Sequence, residues 1–107
     1  MSPKSRPQKP IRSLEEIRQI LRLKTPELTE QYKVKYLGIF GSYIRGEARK
    51  SSDLDLLVDF DEAPTLLEFI RMERTLSEEL GVKVDLVMKK TLKPHIGNYI
   101  LNEVVQV

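Results

Sequence analysis

Gly41-Ser42-Tyr43-Ile44-Arg45-Gly46-Glu47-Ala48 closes one apolar run, and Ser52-Asp53-Leu54-Asp55-Leu56-Leu57-Val58 opens the next. A small turn rich in backbone N–H groups suits a phosphate. Two carboxylates one residue apart suit Mg²⁺. Their closeness along the chain points to one site able to hold a metal–nucleotide complex. How the two runs pair decides both the fold and whether that site exists.

The chain has 107 residues, enough for one domain with one core. Hydrophobic residues make up 40% and charged residues 32%, with a formal net charge of +2. So balanced a surface argues against nucleic acid held by bulk charge. Cysteine is absent, which excludes disulfides, thiolate metal sites and a cysteine nucleophile. The single histidine, His95, cannot build a histidine-based zinc site. Any metal must be held by oxygen, which favours Mg²⁺ or Mn²⁺. No apolar run approaches the roughly 20 residues of a membrane span, and the N-terminus lacks a signal core. These features place the expected compartment in the cytoplasm.

Residues 1–10 contain Pro3, Pro7 and Pro10 among Lys4, Arg6 and Lys9, and read as a disordered basic tail. Residues 11–107 read as the folded domain. Ser13 and Glu16 form a capping box, and Leu14, Ile17, Ile20 and Leu21 continue with helical spacing. Thr25-Pro26 predicts a fresh start, with Thr25 as N-cap of a short helix to about Gln31. Residues 34–40 are β-rich and apolar on both faces, so they read as a buried strand. A short helix is expected from Ser42 and a second strand over 54–60. Pro64 begins a helix whose apolar face is Leu66, Phe69, Ile70, Leu76 and Leu80, ended by Gly81. A third strand covers 82–88. Leu92, Ile96, Ile100 and Val104 recur every four residues and predict a last helix over 91–107.

The expected class is therefore α/β (α+β), a small mixed three-stranded sheet flanked by helices. Strands two and three, joined through a helix, form a right-handed βαβ unit and run parallel. The link between strands one and two is shorter than a parallel crossover needs, so those two run antiparallel. The end of strand one then lies beside the start of strand two, and Gly41-Ser42 sits beside Asp53 and Asp55.

Asp53 and Asp55 share one strand face, with Cα atoms about 6.5 Å apart. They can converge on one metal or on a close pair. The competing reading is a solvated strand entrance. Asp59 and Asp61 share the same parity, but Asp59 lies about 13 Å further along. It reads as a solvated strand exit. Asp85 interrupts an apolar strand parallel to the second, so it can reach the Asp53/Asp55 face. A plain Lys83–Asp85 surface pattern is the alternative. Gly41 and Ser42 could cradle phosphate or simply turn the chain. Arg45, one helical turn after Ser42, could face the same anion or pair with a carboxylate. His95 reads as surface, and Tyr36, Tyr43 and Tyr99 as packing residues.

Taken together, Gly-Ser, Arg-Gly-Glu-Ala, Ser-Asp-Leu-Asp-Leu-Leu-Val and Val-Asp-Leu-Val in this order closely resemble the minimal nucleotidyltransferases of the DNA polymerase beta-like superfamily. The resemblance covers residues 34–104. It implies the polymerase-beta-like nucleotidyltransferase fold for 11–107, with Gly41 and Ser42 holding a nucleoside triphosphate. It implies that Asp53 and Asp55 bind two Mg²⁺ and that Asp85 completes a catalytic triad. Ile44 stands where the family usually has a small residue, so the packing of the turn can differ. Many family members are encoded beside a HEPN-domain ribonuclease and act as its antitoxin, in a proposed transfer of AMP from ATP to a tyrosine of the toxin. That resemblance implies a HEPN toxin as protein partner in a hetero-oligomer. Two other readings stay open: a non-catalytic antitoxin that neutralises its toxin by covering it, and a nucleotidyltransferase for a small molecule such as an aminoglycoside. The absence of a second domain to hold a small acceptor counts against the last.

Overall fold

The computed structural model describes residues 12–107, so the expected tail at 1–10 lies outside the described residues. The first element is a single helix, α1 (Leu14–Tyr32), not the two predicted at Thr25-Pro26. Its capping box forms as expected, with Ser13 Oγ accepting from Glu16 N–H and a Glu16 carboxylate oxygen accepting from Ser13 N–H. Pro26 lies inside the helix but on its exposed side, where the carbonyl it strands can meet water. The Thr25 hydroxyl turns back to donate to Leu21 O at 2.9 Å instead of capping a new helix. The buried stripe Ile17, Leu21, Leu28 and Tyr32 runs straight through the proline. Burying that stripe outweighs the lost hydrogen bond.

Strands β1 (Val34–Phe40) and β2 (Leu54–Phe60) pair antiparallel, with Phe40 opposite Asp55 and Ile39 opposite Leu56. A bulge between Val34 and Tyr36 lets Val34 and Leu37 both face the main core. Helix α3 (Leu66–Leu80) then returns the chain to β3 (Val84–Met88), which pairs parallel with β2. Both strand directions match those inferred from the connection lengths.

The sheet has a fourth strand that the periodicity did not predict. After a 3-10 turn at Lys89–Thr91, helix α4 (Pro94–Glu103) ends early, and Val105–Gln106 form β4 against β1. The strand order is β3-β2-β1-β4. Val104 is thus the helix cap and not its last apolar face residue, and Ile96 is exposed. The run Val104-Val105-Gln106-Val107 is rich in β-branched valine, and edge pairing with β1 wins over continued helix.

Helices α1 and α3 cover one sheet face around Ile17, Leu21, Leu56, Val58, Met72 and Leu76. Helix α4 covers the other through Ile100, packed on Phe40 and Leu57. Helix α3 starts at a Thr65–Glu68 capping box, one residue beyond Pro64. Its buried stripe is Met72, Leu76 and Leu80, with Phe69 half-buried, while Leu66 and Ile70 are exposed. Leu66 and Ile70 share a helical row with Glu73 and Ser77, which points to the outer edge of β3. There Ser77 Oγ accepts from Val84 N–H at 2.9 Å, and Glu73 Oε2 accepts from Leu86 N–H at 2.8 Å. Leu66 and Ile70 lie beyond the pair that meets the strand. Among the described residues, no helix is long and apolar enough to cross a membrane.

Leu76 is 1% exposed and Leu66 is 74% exposed. Leu76→Ala therefore lowers unfolding free energy by about 2–5 kcal/mol, whereas Leu66→Ala changes it by less than about 0.5 kcal/mol. Urea denaturation followed by circular dichroism reads both; equal losses would contradict the observed helix face.

Candidate active site

The site lies where β1 ends beside the start of β2. Gly41 adopts φ 85°, ψ −152°, a region of backbone space that only glycine enters readily. Its carbonyl accepts from Ile44 N–H at 3.0 Å and Arg45 N–H at 3.1 Å, which winds residues Ser42–Arg45 into one helical turn, α2. Tyr43 is buried and Ile44 packs against the main core, so the larger residue at 44 is taken up by the core. Ser42 stays half-buried beside Gly41. Gly46, at φ 75°, ends the turn.

Across the strand gap, a tight turn sets the first carboxylate. Arg49 N–H donates to Ser52 Oγ at 2.8 Å, and Ser52 N–H donates to Arg49 O at 2.9 Å. Leu54 is fully buried in the main core, so its neighbours Asp53 and Asp55 face the other way. The parallel register places Asp85 of β3 directly opposite Asp55. Asp55 is half-buried and Asp85 is exposed on the outer strand. Contact with the glycine turn is close: a Cβ on Gly41 would stand 2.1 Å from Asp55 Oδ2. Glycine is thus required at 41 both for its dihedral angles and for room.

The electrostatics record the crowding. Burial, then the charges of Asp85 and Asp53, push Asp55 up to about 6, against a pull downward from Arg45. Glu103 adds to the upward push. Among the described residues, no three acidic or histidine side chains are already drawn into a closed metal cage. The donor chemistry nevertheless fits a hard divalent cation: Asp53, Asp55 and Asp85 offer only carboxylate oxygens, and the repulsion Asp55 feels from the other two is charge that such an ion would neutralise.

Arg45 is engaged on two sides. Its Nε donates to Glu47 Oε1 at 2.9 Å and its Nη1 to Glu103 Oε1 at 2.8 Å, and both bonds raise its pKa. Glu103 Oε2 also accepts from Gly41 N–H at 2.7 Å. The sequence reading missed Glu103 because it missed β4. The β-branched residues after 103 were the available signal.

Asp59 and Asp61 fall outside this cluster. Asp61 is exposed, as a solvated strand exit should be. Asp59 is not solvated: it is 9% exposed, its Oδ1 accepts from Phe60 N–H at 3.0 Å, and its Oδ2 lies 3.7 Å from Lys35 Nζ. The β1 bulge brings Tyr36 opposite Asp59 and puts Lys35 within reach of it. His95 is exposed, and Tyr43 and Tyr36 pack. Tyr99, expected to pack, is exposed, because α4 turns Ile100 and Gly97 toward the sheet instead.

The family pattern of a nucleotidyltransferase domain matches residues 14–107, nearly all of the described chain. The chain belongs to the nucleotidyltransferase domain family. A protein adenylyltransferase, MntA, from Thermococcus cleftensis is 53% identical over 95 residues, which is 89% of this chain and 96% of that one. A solved minimal nucleotidyltransferase aligns with a TM-score of 0.76 and 38% identity, covering 90% of this chain and 97% of the other. The crystal structure of a toxin–antitoxin with AMP-PNP aligns with a TM-score of 0.69 at 21% identity, over 84% of this chain and 70% of that one, and shares the fold. The β1–turn–β2 arrangement of this nucleotidyltransferase domain is thus the part that holds its candidate site.

Folding raises Asp55 from 3.8 to about 6, so the folded state favours its protonated form. That contribution is fully present below pH 3.8 and is lost as pH rises through about 6. In EDTA, Asp55→Asn raises stability at pH 8 by on the order of 1 kcal/mol, discounted for partial exposure, and the gain vanishes below pH 4. Thermal melts across pH read it; a gain that grows toward acid would contradict the assigned crowding. Gly41→Ala loses about 1–3 kcal/mol or more at every pH, from backbone strain and the clash with Asp55.

Proposed function

We propose that this nucleotidyltransferase transfers AMP from ATP to a tyrosine hydroxyl of a HEPN-domain toxin, with Mg²⁺, and so acts in the cytoplasm as that toxin's antitoxin. The observation that carries the chemistry is the contact of the Gly41 turn with Asp55, with Asp85 in register across the neighbouring strand. A triphosphate-binding turn and a carboxylate cluster are thereby one site. The adenylyltransferase activity named for the 53% identical relative supports the reaction class. The toxin–antitoxin assemblies with which the fold is shared, including one with an ATP analogue, support the partner and the nucleotide.

Each residue then has a task. Gly41 and Ser42 form the turn that holds the β- and γ-phosphates: Gly41, its own N–H taken by Glu103, gives the turn its shape, Ser42 offers its backbone N–H and hydroxyl, and Arg45 stands at the far end of the same turn. Asp53, Asp55 and Asp85 would hold the Mg²⁺, which when bound supplies neutralisation of phosphate charge. Asp85 is the exposed member of the three, so an acceptor protein reaches it first. It takes the proton from the tyrosine hydroxyl as the oxygen attacks the α-phosphorus in line. The bond from that phosphorus to its bridging oxygen breaks, and pyrophosphate leaves. Positioning and charge neutralisation supply most of the rate. A tyrosine of another chain as acceptor agrees with the toxin–antitoxin assemblies that share this fold.

Incubation with labelled ATP, Mg²⁺ and a HEPN-domain toxin from the same genome adds AMP to the toxin, visible as label and as intact-mass increments. Asp53→Asn/Asp55→Asn lowers the rate by at least about 100-fold. Undiminished transfer by the double variant would sink the site assignment. Full toxin neutralisation by that variant without transfer would instead establish the purely covering antitoxin.

A further inference from the structure

Glu103 is the last residue of α4, where it works against its own helix. A carboxylate in a last turn faces the negative end of the backbone dipole, and no basic residue shares that turn. The side chain is nonetheless only 14% exposed. Both its oxygens are used, Oε2 on Gly41 N–H and Oε1 on Arg45 Nη1. Burial works to raise its pKa, but the hydrogen bonds from Arg45 and Gly41 outweigh it and hold the group below its ordinary value, so it is ionised at neutral pH. Its charge also adds to the repulsion on Asp55. These local costs leave the turn, and not the helix, as the reason for a glutamate here.

The register shows how it is delivered. Ile39 pairs with Val105 in the antiparallel β1/β4 ladder, so two steps forward along β1 and two steps back along the other strand bring Gly41 opposite Glu103. The short fourth strand therefore aims one side chain at the candidate phosphate turn.

We propose that Glu103 is a positioning residue for nucleotide binding: its carboxylate ties Gly41 N–H to the Arg45 guanidinium and holds the Gly41-Ser42 turn in the shape that receives the phosphates. This rests on the function proposed above. Glycine has more backbone alternatives than any other residue, so a turn built on Gly41 needs outside anchors to select one. The carbonyl side is anchored by Ile44 and Arg45 N–H groups, and the N–H side by Glu103. Arg45 is held the same way. Of its five donors, the two bonds engage Nε and Nη1, and Nη2 takes part in neither.

The test compares the full-length wild type with Glu103→Ala, Glu103→Gln, Arg45→Ala and Arg45→Ala/Glu103→Ala. Calorimetric titration with a non-hydrolysable ATP analogue reads binding, and hydrogen exchange of the 41–45 peptide reads the turn. Glu103→Ala weakens binding about tenfold, the scale of one charge-assisted hydrogen bond. It also speeds exchange at 41–45. In transfer assays the loss falls on KM for ATP more than on kcat. Glu103→Gln, which keeps an acceptor for Gly41 N–H, recovers part of the binding, and the loss is smaller when Arg45 is already removed. Unchanged or tighter binding by Glu103→Ala would overturn the proposal, as would unchanged exchange. If Glu103→Ala does not fold, Glu103→Gln decides it, with wild-type binding and exchange overturning the role. If the wild type neither binds the analogue nor transfers AMP, the proposed function falls. Exchange at 41–45 then still decides whether Glu103 holds the turn.

Discussion

The molecule depends on the close approach of Gly41 to Asp55. No other residue fits at 41, since a Cβ would stand 2.1 Å from the carboxylate oxygen. That approach follows from the antiparallel register of β1 and β2, which sets Phe40 opposite Asp55. The register is in turn fixed by burial: Leu54, Leu56 and Val58 must face the main core, and a slip by one residue would turn all of them outward. The hydrophobic effect therefore positions the polar site. Asp85 follows from the same logic, because Val84 and Leu86 on either side of it are buried.

Much of this is legible in the sequence. The length of the link between the first two strands was enough to infer their direction, and that direction alone separates Asp53 and Asp55 from Asp59. Alternation of apolar residues around Asp85 placed it on the right face. What stayed hidden depends on tertiary packing. Pro26 is a strong local stop, yet a buried stripe on the opposite side of the helix carries the chain through it. Leu66 and Ile70 have the spacing of a core face, but the sheet ends before it reaches them. Asp59 looked solvated because nothing in its neighbourhood announces the bulge that brings Lys35 to it. Glu103 is hard to find because a two-residue edge strand is too short to show any period, and only the valines after it hint at a strand.

The site is a place of stored electrostatic tension. Asp55 feels the negative charges of Asp85, Asp53 and Glu103 against one arginine, Arg45, which is itself shared between Glu47 and Glu103. Such crowding opposes folding and is tolerated because the two apolar layers above and below the sheet hold the backbone in place.

The sealing of β3 has a consequence of a different kind. An outer strand with unpaired N–H groups invites any extended peptide to add itself to the sheet, and it is a common start for fibrous aggregation. Here Ser77 and Glu73 take those N–H groups from within the same βαβ unit, and the opposite edge is only two residues long. A strand added from another chain therefore finds Val84 and Leu86 N–H already taken on one edge and only a two-residue strand on the other.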